Sequence, residues 1–274
     1  MGNSPEIAVL VSSFERPRHL IRVLHSIAMQ RGVEGRFEVV VTDDGSRDDT
    51  LDRVRDFANQ QSFPVRWTTH PHETFQLARC RNEGVRASTA PYLLFLDGDC
   101  LIPPDHLRIH LEQRKPQVAY AGYCALLDEA SSEELGIEEV RAAKFMELAS
   151  RGELKKLEKM HRKARFYELI RHPAKPKLFG GNVGIHRQDF EAINGYDEAF
   201  EGWGCEDDDL RIRLRQHGVR IKSILGWTRT YHLWHPKTPT APKEWRDGSN
   251  VHRLQRQQVP TRCKQGLVQA SRAA

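Results

Sequence analysis

The sequence predicts an α/β fold: a mixed, mostly parallel sheet flanked by helices and carrying one helical insertion. Three observations predict it. Over residues 1–100, short apolar runs suited to buried strands alternate with helix-period segments, the pattern of parallel strands joined by right-handed crossovers. Acidic clusters stand at the ends of these runs, where open parallel sheets bind ligands. From Asp128 to Arg171 the chain turns to Glu-, Lys- and Arg-rich helical spacing with few strand formers.

Ile7 to Ser12 is the first apolar run. Pro17 then opens a helix whose buried face is set by Leu20, Leu24, Ile27 and Ala28. Phe37 to Val41 is a second strand, ending in Asp43-Asp44-Gly45-Ser46. Asp48 to Phe57 reads as helix, Pro64 to Thr69 as strand, Phe75 to Ala87 as helix, and Tyr92 to Leu96 as the strand that runs into Asp97. Gln117 to Leu127 reads as one further strand. Phe179 to Ile185 resumes the sheet pattern with glycines that permit close approach to a ligand. Gln216-His217-Gly218 closes a helix, Val219 to Leu225 is read as the last strand, and from Pro236 the chain is a tail that wraps or frays. The divisions expected are a single domain over 1–236, with a first half (1–100), an insertion (128–172) and a second half (178–236), then a tail (237–274).

At 274 residues, with 39% hydrophobic and 29% charged residues, the chain can bury a sizeable core and is globular in composition. A net charge of +5 suits phosphate-bearing substrates, anionic polymers or an acidic membrane surface. Nucleic acid is not expected as a partner, because the basic residues are dispersed and no zinc-finger or aromatic RNA-binding signature is present. Five cysteines without Cys-x-x-Cys spacing argue against a disulfide framework and for a reducing compartment. No signal peptide and no apolar run of the ~20 residues that span a bilayer is visible, so the expected location is cytoplasmic. The basic stretch 152–171 is read first as a solvated helix; its sharper reading is peripheral contact with the inner membrane face or with an acceptor.

The chemistry concentrates in Gly202-Trp203-Gly204-Cys205-Glu206-Asp207-Asp208-Asp209. Four adjacent carboxylates repel one another, and helix capping needs only one or two of them, so a ligand is expected. Asp208 or Asp209 is expected to pair with Arg211 or Arg213, leaving Glu206 and Asp207 to face a cleft. Asp97-Gly98-Asp99 offers hard oxygen ligands for Mg²⁺ or Mn²⁺, and Asp44 a carboxylate for a base or ribose. His232 and His235 follow the last strand and could complete the ion site, although paired histidines are more often ordinary surface residues. His70 and His72 are read as such surface residues.

The combination of Val11-Ser12-Ser13-Phe14, Asp43-Asp44-Gly45-Ser46, Ala78-Arg79-Cys80-Arg81-Asn82-Glu83-Gly84 and Asp97-Gly98-Asp99 resembles the family 2 glycosyltransferases of the GT-A, Rossmann-like fold. Gly180-Gly181-Asn182, Gly195-Tyr196-Asp197-Glu198-Ala199-Phe200 and the Gly202–Asp209 run resemble the C-terminal portion of the β-1,4-galactosyltransferases. They are also similar to polypeptide N-acetylgalactosaminyltransferases and bacterial chondroitin polymerases. The resemblance implies a UDP-sugar donor, a Mn²⁺ or Mg²⁺ cofactor, and a glycan or glycoconjugate acceptor in polysaccharide or glycoconjugate synthesis. It places Ser13, Asp44, Arg79, Asp97 and Gly181 at the donor, Asp99 with His232 or His235 at the metal, Trp203 and Glu206 at the acceptor, and Asp207 as catalytic base. Two positions depart from it: Glu201 stands where the galactosyltransferases have an aromatic residue, and Cys205 where they have glycine.

The expected reaction is metal-dependent inverting transfer, with a carboxylate taking the proton of a weakly nucleophilic hydroxyl. The alternative is a catalytically silent module that holds nucleotide-sugar or glycan. A nucleotidyltransferase is disfavoured by the lack of a phosphate-cradling Gly-rich loop; a retaining transferase of the same fold would be told apart by its product.

Overall fold

Strand β1 (Ile7–Ser13) is buried along its whole length because it is apolar on both faces. Ile7, Val9 and Val11 point into one core, Ala8 and Leu10 into the other. The computed structural model that shows this describes residues 4–236, 244, 248–255 and 258–269. Pro17 sits in the first turn of α1 (Pro17–Ala28), where its missing N–H costs nothing, and Leu20, Val23, Leu24 and Ile27 pack beneath the sheet. There follow β2 (Phe37–Asp43), α2 (Thr50–Ala58), β3 (Val65–Thr69), α3 (Leu77–Ala87), β4 (Tyr92–Asp97), the short β5 (Cys100–Leu101) and α4 (His106–Gln113).

The expected strand over Gln117–Leu127 is instead two strands, β6 (Val118–Ala121) and β7 (Cys124–Leu126), in different sheets. The break falls at Gly122, whose N–H donates to the Asn182 carbonyl (2.7 Å). A Cβ there would lie 2.2 Å from the Asn182 amide. The chain must turn around Asn182, a constraint set by a residue 60 positions away that no local pattern records.

The insertion is helical as expected: α5 (Glu129–Glu134), α6 (Ile137–Arg141), α7 (Phe145–Leu148) and α8 (Arg151–Leu169). Ser150 caps α8 by accepting from the Glu153 N–H. Phe145 and Leu157 anchor the insertion in the core, while Phe166, Leu169 and Ile170 are exposed. The chain returns through β8 (Val183–His186), α9 (Arg187–Ala192), α10 (Glu206–Gln216) and β9 (Arg220–Ser223). β9 is not the last strand. β10 (Thr230–His232) follows, too short to show a period, and places His232 inside a ladder rather than beyond it.

The main sheet runs β3-β2-β1-β4-β8-β6-β9, parallel except where β8 pairs antiparallel with β4 and β6. A smaller sheet, β5-β10-β7, stands beside it. The mixed, mostly parallel sheet flanked by helices is thus as expected. Of the tail, α11 (Ser249–Leu254) and residues 258–269 wrap back onto the body. The Asn194 side chain donates to the carbonyls of Cys263 and Val268, and Cys263 is buried. The rest of the tail lies outside the described residues. Among the described residues no helix is long and apolar enough to cross a membrane.

Candidate functional site

The carboxyl ends of β1, β2 and β4 open into one cleft of about 680 Å³. Ser13, Asp44, Asp97, Asp99 and Gly181 line it, as do Trp203, Glu206, Asp207, His232 and His235. Arg79 does not. It lies on the half-exposed side of α3, pairing with Glu83 (2.9 Å) and Gln76 (3.2 Å). The arginine that enters the cleft is Arg81, two positions further along the helix.

At the β2 end the two aspartates divide their work. Asp43 holds the turn, accepting from the N–H groups of Gly45 (3.0 Å) and Ser46 (2.8 Å) and from the Thr69 hydroxyl. Gly45 is in the left-handed region (φ +80°), and a Cβ there would meet the His70 carbonyl at 2.5 Å, so this turn requires glycine. Asp44 turns to the cleft, fixed by the Gln76 N–H (3.2 Å) and by His70 Nε2 (2.9 Å). His70 and His72 are not loose surface histidines. His70 is buried, its Nδ1 bonded to Glu83 (2.9 Å), and His72 bonds the Asp44 carbonyl and stacks on Phe14 at 4.2 Å.

At the β4 end, Asp99 faces both imidazoles. His235 Nε2 lies 3.2 Å from Oδ2 and His232 Nε2 3.5 Å from Oδ1. Burial works against ionisation of Asp99. The His235 hydrogen bond and the charges of His232, His235 and Arg16 overcome it and hold the carboxyl well below the usual range. The His235 ring is raised in turn, first by that hydrogen bond. Ligand atoms of Asp99, His232 and His235 all lie within 4.8 Å of one another, one oxygen and two nitrogens. This donor set fits a divalent ion. Both histidines, rather than one of the two, reach Asp99. Arg16 is the rival cation: its Nη1 is 3.3 Å from Asp99 and 3.0 Å from His235 Nε2.

On the far wall, α10 is preceded by Cys205, which is left-handed (φ 73°) and so stands where a glycine would suit. Asp208 and Asp209 are structural in the expected way. Asp209 pairs with Arg213 at 2.7 Å, both fully buried, and Asp208 with Arg211 and Lys177. Asp207 faces the cleft in a fixed orientation: Oδ1 accepts from Arg81 (2.9 Å) and the Tyr196 hydroxyl (3.1 Å), Oδ2 from the Gly180 N–H (2.8 Å). A Cβ on Gly180 would lie 1.8 Å from the Arg81 guanidinium, so the glycine is what lets this backbone approach. Glu206 is buried, with Arg81 3.5 Å away, and burial followed by the Asp207 charge raises its carboxyl to about 7.

Arg81 joins the two walls. Its side chain is 2% exposed and also reaches Asp97 at 3.2 Å, so one guanidinium serves Asp97, Glu206 and Asp207. Burial disfavours its charge, but Tyr196 and the three carboxylates outweigh that. The sequence held the signal: Ala78, Arg81 and Val85 fall at i, i+3 and i+7 on the buried face of α3.

This architecture has known counterparts. The profile described as glycosyl transferase family 2 matches residues 8–176, and a second, described as the N-terminal domain of galactosyltransferase, matches residues 159–236. The chain belongs to glycosyl transferase family 2. It is 29% identical over 232 residues to validoxylamine A glucosyltransferase of Streptomyces hygroscopicus subsp. limoneus, covering 78% of this chain and 49% of that one. The chain thus spans about half the length of this relative. Among solved structures it is similar to the mannosyltransferase PcManGT of Pyrobaculum calidifontis, in complex with GDP-Man and Mn²⁺ (TM-score 0.62, 18% identity, 87% of this chain and 59% of that). It is also similar to TarS 1-349 of S. aureus in complex with UDP-GlcNAc (TM-score 0.59, 15% identity, 85% and 60%). The fold is GT-A.

Proposed function

We propose that this chain moves a sugar from a UDP-sugar to a hydroxyl of a glycan or glycoconjugate, with inversion and with help from a divalent ion. The observation that carries the reading is the meeting, in one cleft, of an Asp-His-His ligand set with an oriented carboxylate on the opposite wall. Nucleotide-sugar complexes of GT-A structures, with UDP-GlcNAc in one and with GDP-Man and Mn²⁺ in another, support the donor class.

Asp207 is the proposed base. A carboxylate has about four acceptor sites, and Arg81, Tyr196 and Gly180 occupy three, leaving one on Oδ2 for the acceptor hydroxyl. As the hydroxyl attacks, its proton passes to Asp207 while the bond from the anomeric carbon to the diphosphate breaks. Help of this kind is worth roughly 10²–10⁴-fold in rate. Attack from the face opposite the leaving group inverts the anomeric centre. Asp99, His232 and His235 would hold the ion, which as a Lewis acid offsets the charge of the departing diphosphate. In this reading the cleft residues Asp44 and Ser13 would meet the nucleoside, Asp97 and Gly181 the ribose and sugar, and half-exposed Trp203 would offer an aromatic face to the acceptor. Titration of UDP with and without Mn²⁺ tests the donor side. Wild type is expected to bind UDP more tightly with Mn²⁺, and Asp99→Asn to lose that gain; equal affinities in all arms would overturn the reading.

A further inference from the structure

We infer that a second cavity beside the cleft, lined by Lys163, Lys175, Lys177, Tyr123, Tyr167 and Phe179, holds an anionic sugar unit of the acceptor glycan. The word acceptor rests on the transferase reading above; the binding chemistry does not. The cavity measures about 240 Å³, below the about 300–1,000 Å³ of a complete ligand pocket and so sized for a subsite. Tyr123, Lys177 and Phe179 are walls of both spaces, so a chain reacting in the cleft can continue into the annex.

The two spaces have opposite charge. Asp44, Asp97, Asp99, Glu206, Asp207 and Asp208 line the cleft and outnumber its cations Arg16, Arg81 and Lys177, whereas no carboxylate is among the residues lining the annex. Lys163 and Lys175 have no ion-pair partner among the described residues. Lys177 stands at the junction, held by Asp208 at 3.0 Å. Ammonium groups gathered round a cavity repel one another, and a carboxylate or phosphate between them relieves that repulsion. The remaining walls suit a sugar ring. Tyr123 and Phe179 meet edge to face at 4.7 Å, and Met160 and Leu225 give an apolar floor. The insertion is built for this: Met160, Lys163, Ala164 and Tyr167 recur at i, i+3, i+4 and i+7, one face of α8 turned to the cavity. Of the basic residues in 152–171, Lys163 is the one that lines this cavity.

The test is calorimetric titration of the full chain, which needs no turnover. The probes are a tetrasaccharide containing glucuronate, the same molecule with its carboxyls methyl-esterified, and a neutral tetrasaccharide carrying a phosphodiester. Wild type is expected to bind a charged probe about tenfold tighter than the ester, as two partly exposed ion pairs allow. The variant Lys163→Gln/Lys175→Gln loses that difference while its affinity for UDP is unaltered, which separates an acceptor anion from the donor diphosphate. The off-cavity control Lys155→Gln/Lys159→Gln, with the same charge change on α8, retains it. Preference for the carboxylate or for the phosphodiester identifies the anion. Equal or undetectable binding of charged and esterified probes, or an equal loss in the control variant, overturns the proposal. Failure of every UDP-sugar to release UDP would instead overturn the transferase reading, whatever these titrations show.

Discussion

Glu206→Gln turns the electrostatics of the cleft into a measurable stability difference. The Glu206 carboxyl sits at about 7 in the folded protein against 4.5 in a free side chain, first because it is buried and then because Asp207 is beside it. The fold therefore binds this proton more tightly than the unfolded chain does. Its contribution is fully present below the unfolded value and is lost as pH rises from about 4.5 through about 7. A shift of this size corresponds to about 3 kcal/mol in all, of which roughly 2–3 kcal/mol falls between pH 5 and pH 8. Glutamine keeps the shape of the protonated acid and never ionises. Wild type and Glu206→Gln are thus expected to be similar in stability at pH 5, and the variant more stable by roughly 2–3 kcal/mol at pH 8. Urea unfolding of both proteins at the two pH values measures this, and other titrating groups largely cancel in the comparison. Parallel pH profiles, or a variant less stable at pH 8, would refute the argument.

Three other outcomes follow from the same geometry. Arg81→Met should cost about 3–5 kcal/mol in urea unfolding, because Asp97, Glu206 and Asp207 lose their shared cation. Asp209→Ala should cost a similar 3–5 kcal/mol by leaving Arg213 charged and fully buried, with nucleotide affinity per folded molecule unaltered. Arg16→Gln should raise the affinity of the nucleotide-free chain for Mn²⁺ by about fivefold in a direct metal titration, since a partly exposed cation no longer competes for Asp99 and His235.

What could be read in the chain was local and periodic. The apolar runs of β1, β2 and β4 and the aspartates at their ends are consequences of short-range pattern, and they bring one wall of the cleft together. The pairing of Asp208 with Arg211 and of Asp209 with Arg213 also followed, because arginines at i+3 and i+4 stand on the same helix face, although Asp208 still borders the cleft beside Glu206 and Asp207. Contacts across the sheet were not legible. His70 meets Asp44 only because β3 lies in parallel register on β2, pairing Thr69 with Asp43. The Gly122 turn depends on Asn182, and β10 exists only as a filler between β5 and β7. Arg81 was the exception, a charged residue on an apolar helix face, readable once three carboxylates needed a common partner.

The most direct test of the proposed chemistry is UDP release from a panel of UDP-sugars, with and without Mn²⁺, by wild type and Asp207→Asn at equal concentration. Expected is Mn²⁺-dependent release from one donor by wild type, reduced roughly 10²–10⁴-fold in Asp207→Asn while UDP affinity is retained. Release from no donor, or equal release by the two proteins, would contradict metal-assisted transfer with Asp207 as its base.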